Sequence, residues 1–561
     1  MSKARANAET LRTALVAGDV TNANFTGADL ELGKGGTGAS TAGAARTALG
    51  VAIGSDVLAP DGSAANLTNL PAGGAEDFIA SGTLPNGKPV ILKANGQVEV
   101  VSETSTPVSQ SIPAGSAVTF NAGTTIHTAT AYDPNTAGRF IVAYQNASNN
   151  YGQASVGTVS GNSISFGTAV SFNSGNTTFV GIAFDPDSAN KFVIMYSNGA
   201  GSNTGKAVVG TVSGTTMSLG TAVVFNNAET TEVSISLNSE NKYILCYRDY
   251  GNSQRGMAIV GTVSGTSISF GSEATITAGT ATSTSVTCDP NTANKFVVFS
   301  RDSGVSNYGI ARVGTVSGTS ISFGTSVTFN SDVTTYISGA FDPNTANKCV
   351  VAYQDTGNSS RGTVCLGTVS NTSISFGSEV IFNVEQSHHV SMAFDPSTTG
   401  KFVVNYMDVG NGYKGYSSLG TLSGSSISFL TSVPFTAAAV GDINFTSTAF
   451  DPNTAGKYVV SYRIGSGGGY YGTAVLGQIA SSVITTNLTA SNFLGTSTTA
   501  YTNGQTAKIM LQGGISTNQS SLTIGSTYYV QPNGTLATSA GTPSVIAGKA
   551  VKANTLLLKG I

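Results

Sequence analysis

Between residues 106 and 485 the chain is built from short runs in which β-branched and aromatic residues alternate with Ser, Thr, Asn and Gly. Residues 334–383 show the pattern in full as "TTYISGAFDPNTANKCVVAYQDTGNSSRGTVCLGTVSNTSISFGSEVIFN". Alternation at a period of two with this composition predicts β-strands, here "TTYISGAFDP", "KCVVAYQD", "RGTVCLGTVS" and "TSISFGSEVIFN", called A to D. Pro, Asn and Gly at the joins suit tight turns.

The set recurs. Its basic residue falls at Arg139, Lys191, Lys242, Lys295, Lys348, Lys401 and Lys457, and the glycine of "GTVSG" or its variants keeps step, at intervals of 51 to 57 residues. A four-stranded meander of about 50 residues cannot enclose its own core, so neighbouring copies must stack face to face. A β-sandwich needs about 100 residues per domain, and a β-helix coil far fewer than one copy holds. The expected fold class is therefore all-β: a seven-bladed β-propeller of four-stranded blades.

D-type sequence precedes the first copy, in "AGSAVTFNAG" (114–123), and is missing after the seventh, where "SSVITTNLTAS" breaks the pattern. An N-terminal strand is thus expected to complete the last blade and remove an exposed sheet edge. Small residues before the aromatic of strand A, such as Ala340 and Ser338 or Ala449 and Ser447, suit sheets that converge on an axis. The expected domains are 1–105, an attachment region with a short helix and a hairpin at "GKPVILKANGQVEVV"; 106–485, the propeller; and 486–561, a small β-domain.

Composition removes several function classes. Charged residues make up 10% of the chain and the formal net charge is -3, so no basic footprint for nucleic acid exists. No run of about 18 apolar residues and no apolar leader core occurs, which points to a chain made in the cytoplasm without a signal peptide or a membrane role. Cys246, Cys288, Cys349 and Cys365 lie in strand-like runs without CxxC spacing and read as small buried hydrophobes.

Candidate chemistry is sparse. "GKGGTG" lacks the Gly-Lys-Ser/Thr ending of a phosphate loop, and the Asp of "DPNTANK" and of the segment after strand B fits turn capping better than calcium. No metal or cofactor is expected. Glu229, Glu232, Glu240, Glu273, Glu379 and Glu385 break the repeat, yet no pair is brought together as glycan hydrolysis needs, and His127, His388 and His389 have no GxSxG partner. The protein is expected not to be an enzyme.

The informative positions are those that differ while their surroundings do not. Five residues before the A-strand aromatic, with a two-residue deletion in the third copy, stand His127, Phe179, Glu232, Ser283, Tyr336, His389 and Phe445. In the B-to-C join, the residue before the recurring glycine is Tyr151, Thr204, Arg255, Tyr308, Arg361, Lys414 or Tyr471. In a meander both sets lie at one end of the sheet, with "DPNTANK" and "SGTS" at the other, so one propeller face is varied and the other uniform. Tyr and Arg supply rigid planes with hydrogen bonds, and aromatic faces suit the C–H faces of sugars. Except for Thr204, Glu232 and Ser283, these residues form the expected ligand-binding set; equally, their stems can simply cover the blade edges.

Both flanks carry a resemblance. "LGKGGTGASTAGAARTALGV" (32–51) resembles a linker motif recurrent in bacteriophage tail-fibre proteins, and "MSKARANAETL" resembles the opening of some of them. The closing stretch "GGISTNQSSLTIGSTYYVQPNGTLATSAGTPSVIAGKAVKANTLLLKG" is similar to a module that ends many phage fibres. The resemblance implies a virion appendage, usually a homotrimer, that joins other tail or head proteins through its N-terminal part and meets a host-surface glycan or receptor. A central propeller is not part of the familiar fibre pattern. A glycan-degrading tailspike-type enzyme and a capsid-decorating head fibre are the alternatives.

Overall fold

A computed structural model describes residues 74–559 apart from 107, 113–116, 200–201, 239–241, 437–441, 467–468 and 481–482. The expected N-terminal helix, the "GKGGTG" segment and Glu240 lie outside the described residues. The chain divides into two units, residues 107–482 and a second made of 1–106 with 483–561.

Residues 107–482 form the seven-bladed β-propeller. In the fifth blade, strand A is the second half of Val327–Phe341, B is Lys348–Asp355 and C is Arg361–Ser370, each antiparallel to the next. Strand D, expected as one run, is broken into Ser373–Phe376 and the start of Val380–Phe394, and both segments pair with C. Strand Val380–Phe394 then continues into the sixth blade as its A strand. Each A strand touches those of the two adjacent blades, and the seventh, Ile443–Phe450, touches the first within Val118–Tyr132. The ring of blades is closed.

Closure follows the expected route. Ser109–Ser111 and the start of Val118–Tyr132 pair with strand C of the seventh blade, Gly469–Ala480, and supply the two D segments that the C-terminal side lacks. Phe120 on this strand lies where a Cβ on Gly472 would stand, as Phe329 does over Gly309 and Phe382 over Gly362. The recurring glycine of strand C is thus required by ring approach. The same Phe packs on the B-strand Tyr of the next blade, with centroids 5.0 Å apart for Phe120–Tyr144 and 5.1 Å for Phe329–Tyr353. At one junction both partners change together, since Ile276 replaces the Phe and Ser300 the Tyr.

The small A-strand residues do more than fit a narrow axis. Ser285 Oγ accepts the Gly339 N–H at 3.1 Å, Ser338 Oγ that of Met392 at 3.0 Å, and Ser391 Oγ that of Thr448 at 2.9 Å. Ser447 Oγ accepts the Thr130 N–H at 2.9 Å and so links the last blade to the first. The "DPN" turns add a second girdle. Asp451 Oδ1 accepts the Asn453 N–H at 2.9 Å, capping its own turn, while the Asn453 amide donates across to the Pro134 carbonyl at 3.1 Å. Cys246, Cys349 and Cys365 are buried thiols and Cys288 is partly buried.

The flanks form one unit rather than the two expected regions. Strands Ala75–Ile79, Pro89–Leu92 and Val98–Val100 share a five-stranded sheet with Phe493–Ser497 and Thr506–Leu511. Ile91 and Val101 lie in one core with Phe493, Tyr528, Val530 and Leu556. Neither flank has enough apolar strand to cover its own sheet face, so each completes the other. The expected hairpin is present, with Val90 paired to Val100 and Gly96 at φ 81° in its turn.

Candidate functional site

The seven inner positions meet. A cavity of about 280 Å³ is lined by His127, Phe179, Glu232, Ser283, Tyr336, His389 and Phe445, together with the residues that follow them, such as Thr128 and Thr284. Because every A strand contributes to it, the cavity lies on the propeller axis. Half of its lining comes from a position that differs from blade to blade, and half from the Thr, Val or Ile that follows it.

The backbone explains how these side chains are placed. The pairing of A with B slips at this point in every blade, between Thr335 and Ser338 in the fifth and between His388 and Ser391 in the sixth. At the slip the residue is left-handed, with φ 52° at His127, 48° at Phe179, 50° at Tyr336, 51° at His389 and 53° at Phe445. Glu232 and Ser283 match them at 53° and 51°. For a residue with a Cβ this conformation costs about 1–2 kcal/mol, and the ring of hydrogen-bonded A strands holds it seven times over.

Five of the seven form an aromatic arc. Phe179 and His127 have centroids 4.7 Å apart, His127 and Phe445 5.1 Å, Phe445 and His389 5.3 Å, and His389 and Tyr336 4.9 Å. Three of the four tilts, 50°, 52° and 53°, match the turn of about 51° between neighbours in a sevenfold ring. Neighbours about 5 Å apart on such a ring lie about 6 Å from its axis. Once ring thickness is subtracted, that opening is narrower than the 10–12 Å of an α-helix with its side chains, so only a slender group can enter.

The remaining two positions form a polar gap in the arc. Glu232 Oε2 accepts the Ser283 N–H at 2.9 Å. Behind them, Arg248 Nε donates to Thr231 Oγ1 at 2.7 Å and Arg301 Nε to Thr282 Oγ1, with Arg301 facing both Glu232 and Arg248. Arg463 occupies the equivalent B-strand position behind Phe445, with its guanidinium 5.0 Å from the Phe445 ring centre and 4.9 Å from that of Tyr470. Burial, with Arg463 adding, holds the His127 imidazole down to about 4. Burial also holds His389 down to about 4, with His388 and Arg463 adding and a hydrogen bond from the imidazole to Asn444 opposing. Both imidazoles are therefore uncharged at neutral pH.

The B-to-C residues sit at the same end of the blades, further out. Arg255 pairs with Thr280, Tyr308 with Val333 and Tyr471 with Thr124, each three residues before an inner position. Arg361 and Lys414 begin their C strands likewise, and Tyr151 is bonded through its N–H to Asn149 Oδ1 at 2.9 Å. None of this outer set lines the cavity. Arg255 Nε and Arg361 Nε each donate to a carbonyl of the D-to-A crossing, Ala278 and Val384, at 3.2 Å. These two arginines brace the crossing.

Sequence reasoning did not single out Arg248, Arg301 and Arg463. Their signal was present, because the residue after the B-strand Tyr or its replacement also varies, as Gln145, Ser197, Arg248, Arg301, Gln354, Met407 and Arg463. Of the repeat-breaking acids, Glu273 accepts from the buried Tyr247 hydroxyl, and Glu379 from that of Tyr353 at 2.8 Å. Side chains left bare mark the same face. Val384 is 66% exposed, Tyr413 46% and Tyr470 45%, and all lie in the B-to-C joins or the D-to-A crossing. Among the described residues, no large apolar side chain stands comparably bare in the "DPNTANK" or "SGTS" turns.

The architecture defines the chain as a seven-bladed β-propeller with a varied axial mouth. It matches no protein-family model and no curated relative. Similar solved structures include the BP39L lectin of Burkholderia pseudomallei, at 10% identity and TM-score 0.48 over 65% of this chain and 99% of that one. Sqt1 of Chaetomium thermophilum, bound to the N-terminus of ribosomal protein L10, is 13% identical at TM-score 0.41 over 64% of this chain and 98% of its own. The NanB sialidase of Streptococcus pneumoniae is 11% identical at TM-score 0.40, over 65% and 70%.

Proposed function

We propose that this chain is a non-enzymatic binding protein of a bacteriophage particle, whose varied propeller face engages a glycan of the host surface. One observation carries the binding part: seven positions that differ from blade to blade, in a fold whose opposite-face turns repeat, converge on an axial cavity. Five of them are aromatic or imidazole rings, which suit the C–H faces of a sugar. Glu232 is the one carboxylate on the cavity wall among the described residues, whereas hydrolysis of a glycosidic bond ordinarily employs two. That supports binding over cleavage.

The assignment to a virion rests on the resemblance of the two flanks to tail-fibre segments. It carries with it attachment to other tail or head proteins and assembly as a homo-oligomer, trimeric in the familiar fibres.

The test is adsorption of the protein to host cells and to their purified surface polysaccharide. Phe445→Gly with His389→Gly is expected to lower binding at least tenfold, and the left-handed backbone at both positions favours glycine, so the fold is kept. Undiminished binding by the folded double variant, or shortening of the polysaccharide by the wild-type protein, would overturn the reading. Labelling of intact particles with an antibody to this chain locates it on tail or head, and absence of label from the particle removes the virion assignment.

A further inference from the structure

The cavity does not share the symmetry of the ring that makes it. Five consecutive blades, from the fifth through the seventh and on to the second, present rings, while the third and fourth present Glu232 and Ser283. A ligand bound here meets an apolar wall on one side and a hydrogen-bonding wall on the other. Sevenfold repetition of the fold therefore yields one site and one orientation, not seven equivalent sites.

Charge narrows the chemistry. His127 and His389 line the cavity as neutral rings. The carboxylate of Glu232 has one oxygen engaged by the Ser283 N–H, which leaves the other to accept from a ligand. The cations stand one layer back and are partly committed: Arg301 faces Glu232 and donates to Thr282 Oγ1, Arg248 donates to Thr231 Oγ1 and to the Tyr250 hydroxyl, and Arg463 stacks between Phe445 and Tyr470. The group that a ligand meets first in the polar gap is thus an acceptor with negative charge. It favours hydroxyls and disfavours carboxylates and phosphates.

We infer that the axial cavity takes the end of one uncharged saccharide per chain, seated with a C–H face on the aromatic arc and hydroxyls toward Glu232 and Ser283. This rests on the glycan reading above. The opening admits a single sugar ring at the tip of a chain, and a volume of about 280 Å³ is at the small end of ligand pockets, which run from about 300 to 1,000 Å³.

Isothermal titration of the full chain with oligosaccharides ending in glucose, galactose or N-acetylglucosamine, each matched by an analogue ending in a uronic acid, tests it. Binding of at least one neutral sugar at one site per chain is expected, with the matched acid at least tenfold weaker. Glu232→Gln keeps an acceptor but removes the charge, so it is expected to narrow the neutral-to-acid preference at least threefold. Glu232→Ala is expected to lower neutral-sugar affinity at least tenfold, with the melting curve confirming that each variant is folded. Preference for the acid, several sites per chain, or a preference unaltered by Glu232→Gln would overturn this inference and leave the glycan reading standing. No binding of these probes, in a protein that still adsorbs to host polysaccharide, also overturns it. No binding to any glycan or to host polysaccharide overturns the glycan reading itself.

Discussion

His127 and Phe445 come from opposite ends of the propeller sequence, yet their rings lie 5.1 Å apart at the mouth of the axis. The contact exists only because the N-terminal strand that carries His127 closes onto the seventh blade. Ring closure and site assembly are thus one event.

Closure can be weakened without touching the mouth. Gln110, on the first of the two closing segments, donates to Ser417 Oγ and to the Tyr458 hydroxyl, both at 2.6 Å. Gln110→Ala removes two hydrogen bonds from partly buried groups and is expected to cost about 1–3 kcal/mol. Denaturant melts of the variant against the wild type measure it.

The hydroxyl girdle yields a paired prediction. Ser391→Ala leaves the Thr448 N–H without its acceptor and is expected to destabilise by about 1–2 kcal/mol. At the equivalent position of the first blade stands Ala129, and Ala129→Ser supplies a hydroxyl for the N–H of the second blade. It is expected to add about 0.5–1.5 kcal/mol, read from the same melts.

Left-handed backbone at the mouth separates folding from binding. Ser283 sits at φ 51°, where glycine is relieved of a strain of about 1–2 kcal/mol and pays about 0.5–1 kcal/mol of chain entropy. Ser283→Gly is therefore expected to be neutral or slightly stabilising, and Ser283→Val destabilising by more than 1 kcal/mol, since a β-branched side chain resists this conformation. Equal melting temperatures for the glycine and valine variants would contradict the account.

Acid is expected to act through the two buried imidazoles. Each titrates near 6.5 when unfolded and near 4 in place, so between these values the unfolded chain binds more protons. Their contribution to stability is complete above about pH 6.5 and is lost progressively as pH falls to about 4. His127→Phe with His389→Phe is expected to flatten the melting temperature across that window.

Much of the architecture was legible because it repeats. The basic residue at the start of strand B, the "GTV" glycine and the stray D-type segment near residue 118 were enough to number the blades and find the closing strand. What stayed hidden depends on direction rather than residue type. Ser338 reads as small, and only the crossing of neighbouring A strands reveals its hydroxyl as the acceptor for Met392. The inner position reads as varied, and nothing in its composition announces a left-handed backbone, since Glu, Ser, Tyr, Phe and His all occupy it. The outer set was selected by the same rule, yet Arg255 and Arg361 spend their Nε donors on the crossing. The flanks were divided for a different reason: the hairpin around "PVIL" is local and legible, but its place in one sheet with "TAKIML" is a contact across the whole chain.

The central claim is that the varied mouth, not the uniform face, is the binding surface. Equilibrium binding to host-surface polysaccharide measures it most directly, comparing Phe445→Gly with Thr319→Lys, an exposed change in a "SGTS" turn of the opposite face. The account predicts at least a tenfold loss of affinity for Phe445→Gly and none for Thr319→Lys. Equal affinity of Phe445→Gly and wild type, or a loss confined to Thr319→Lys, would contradict it.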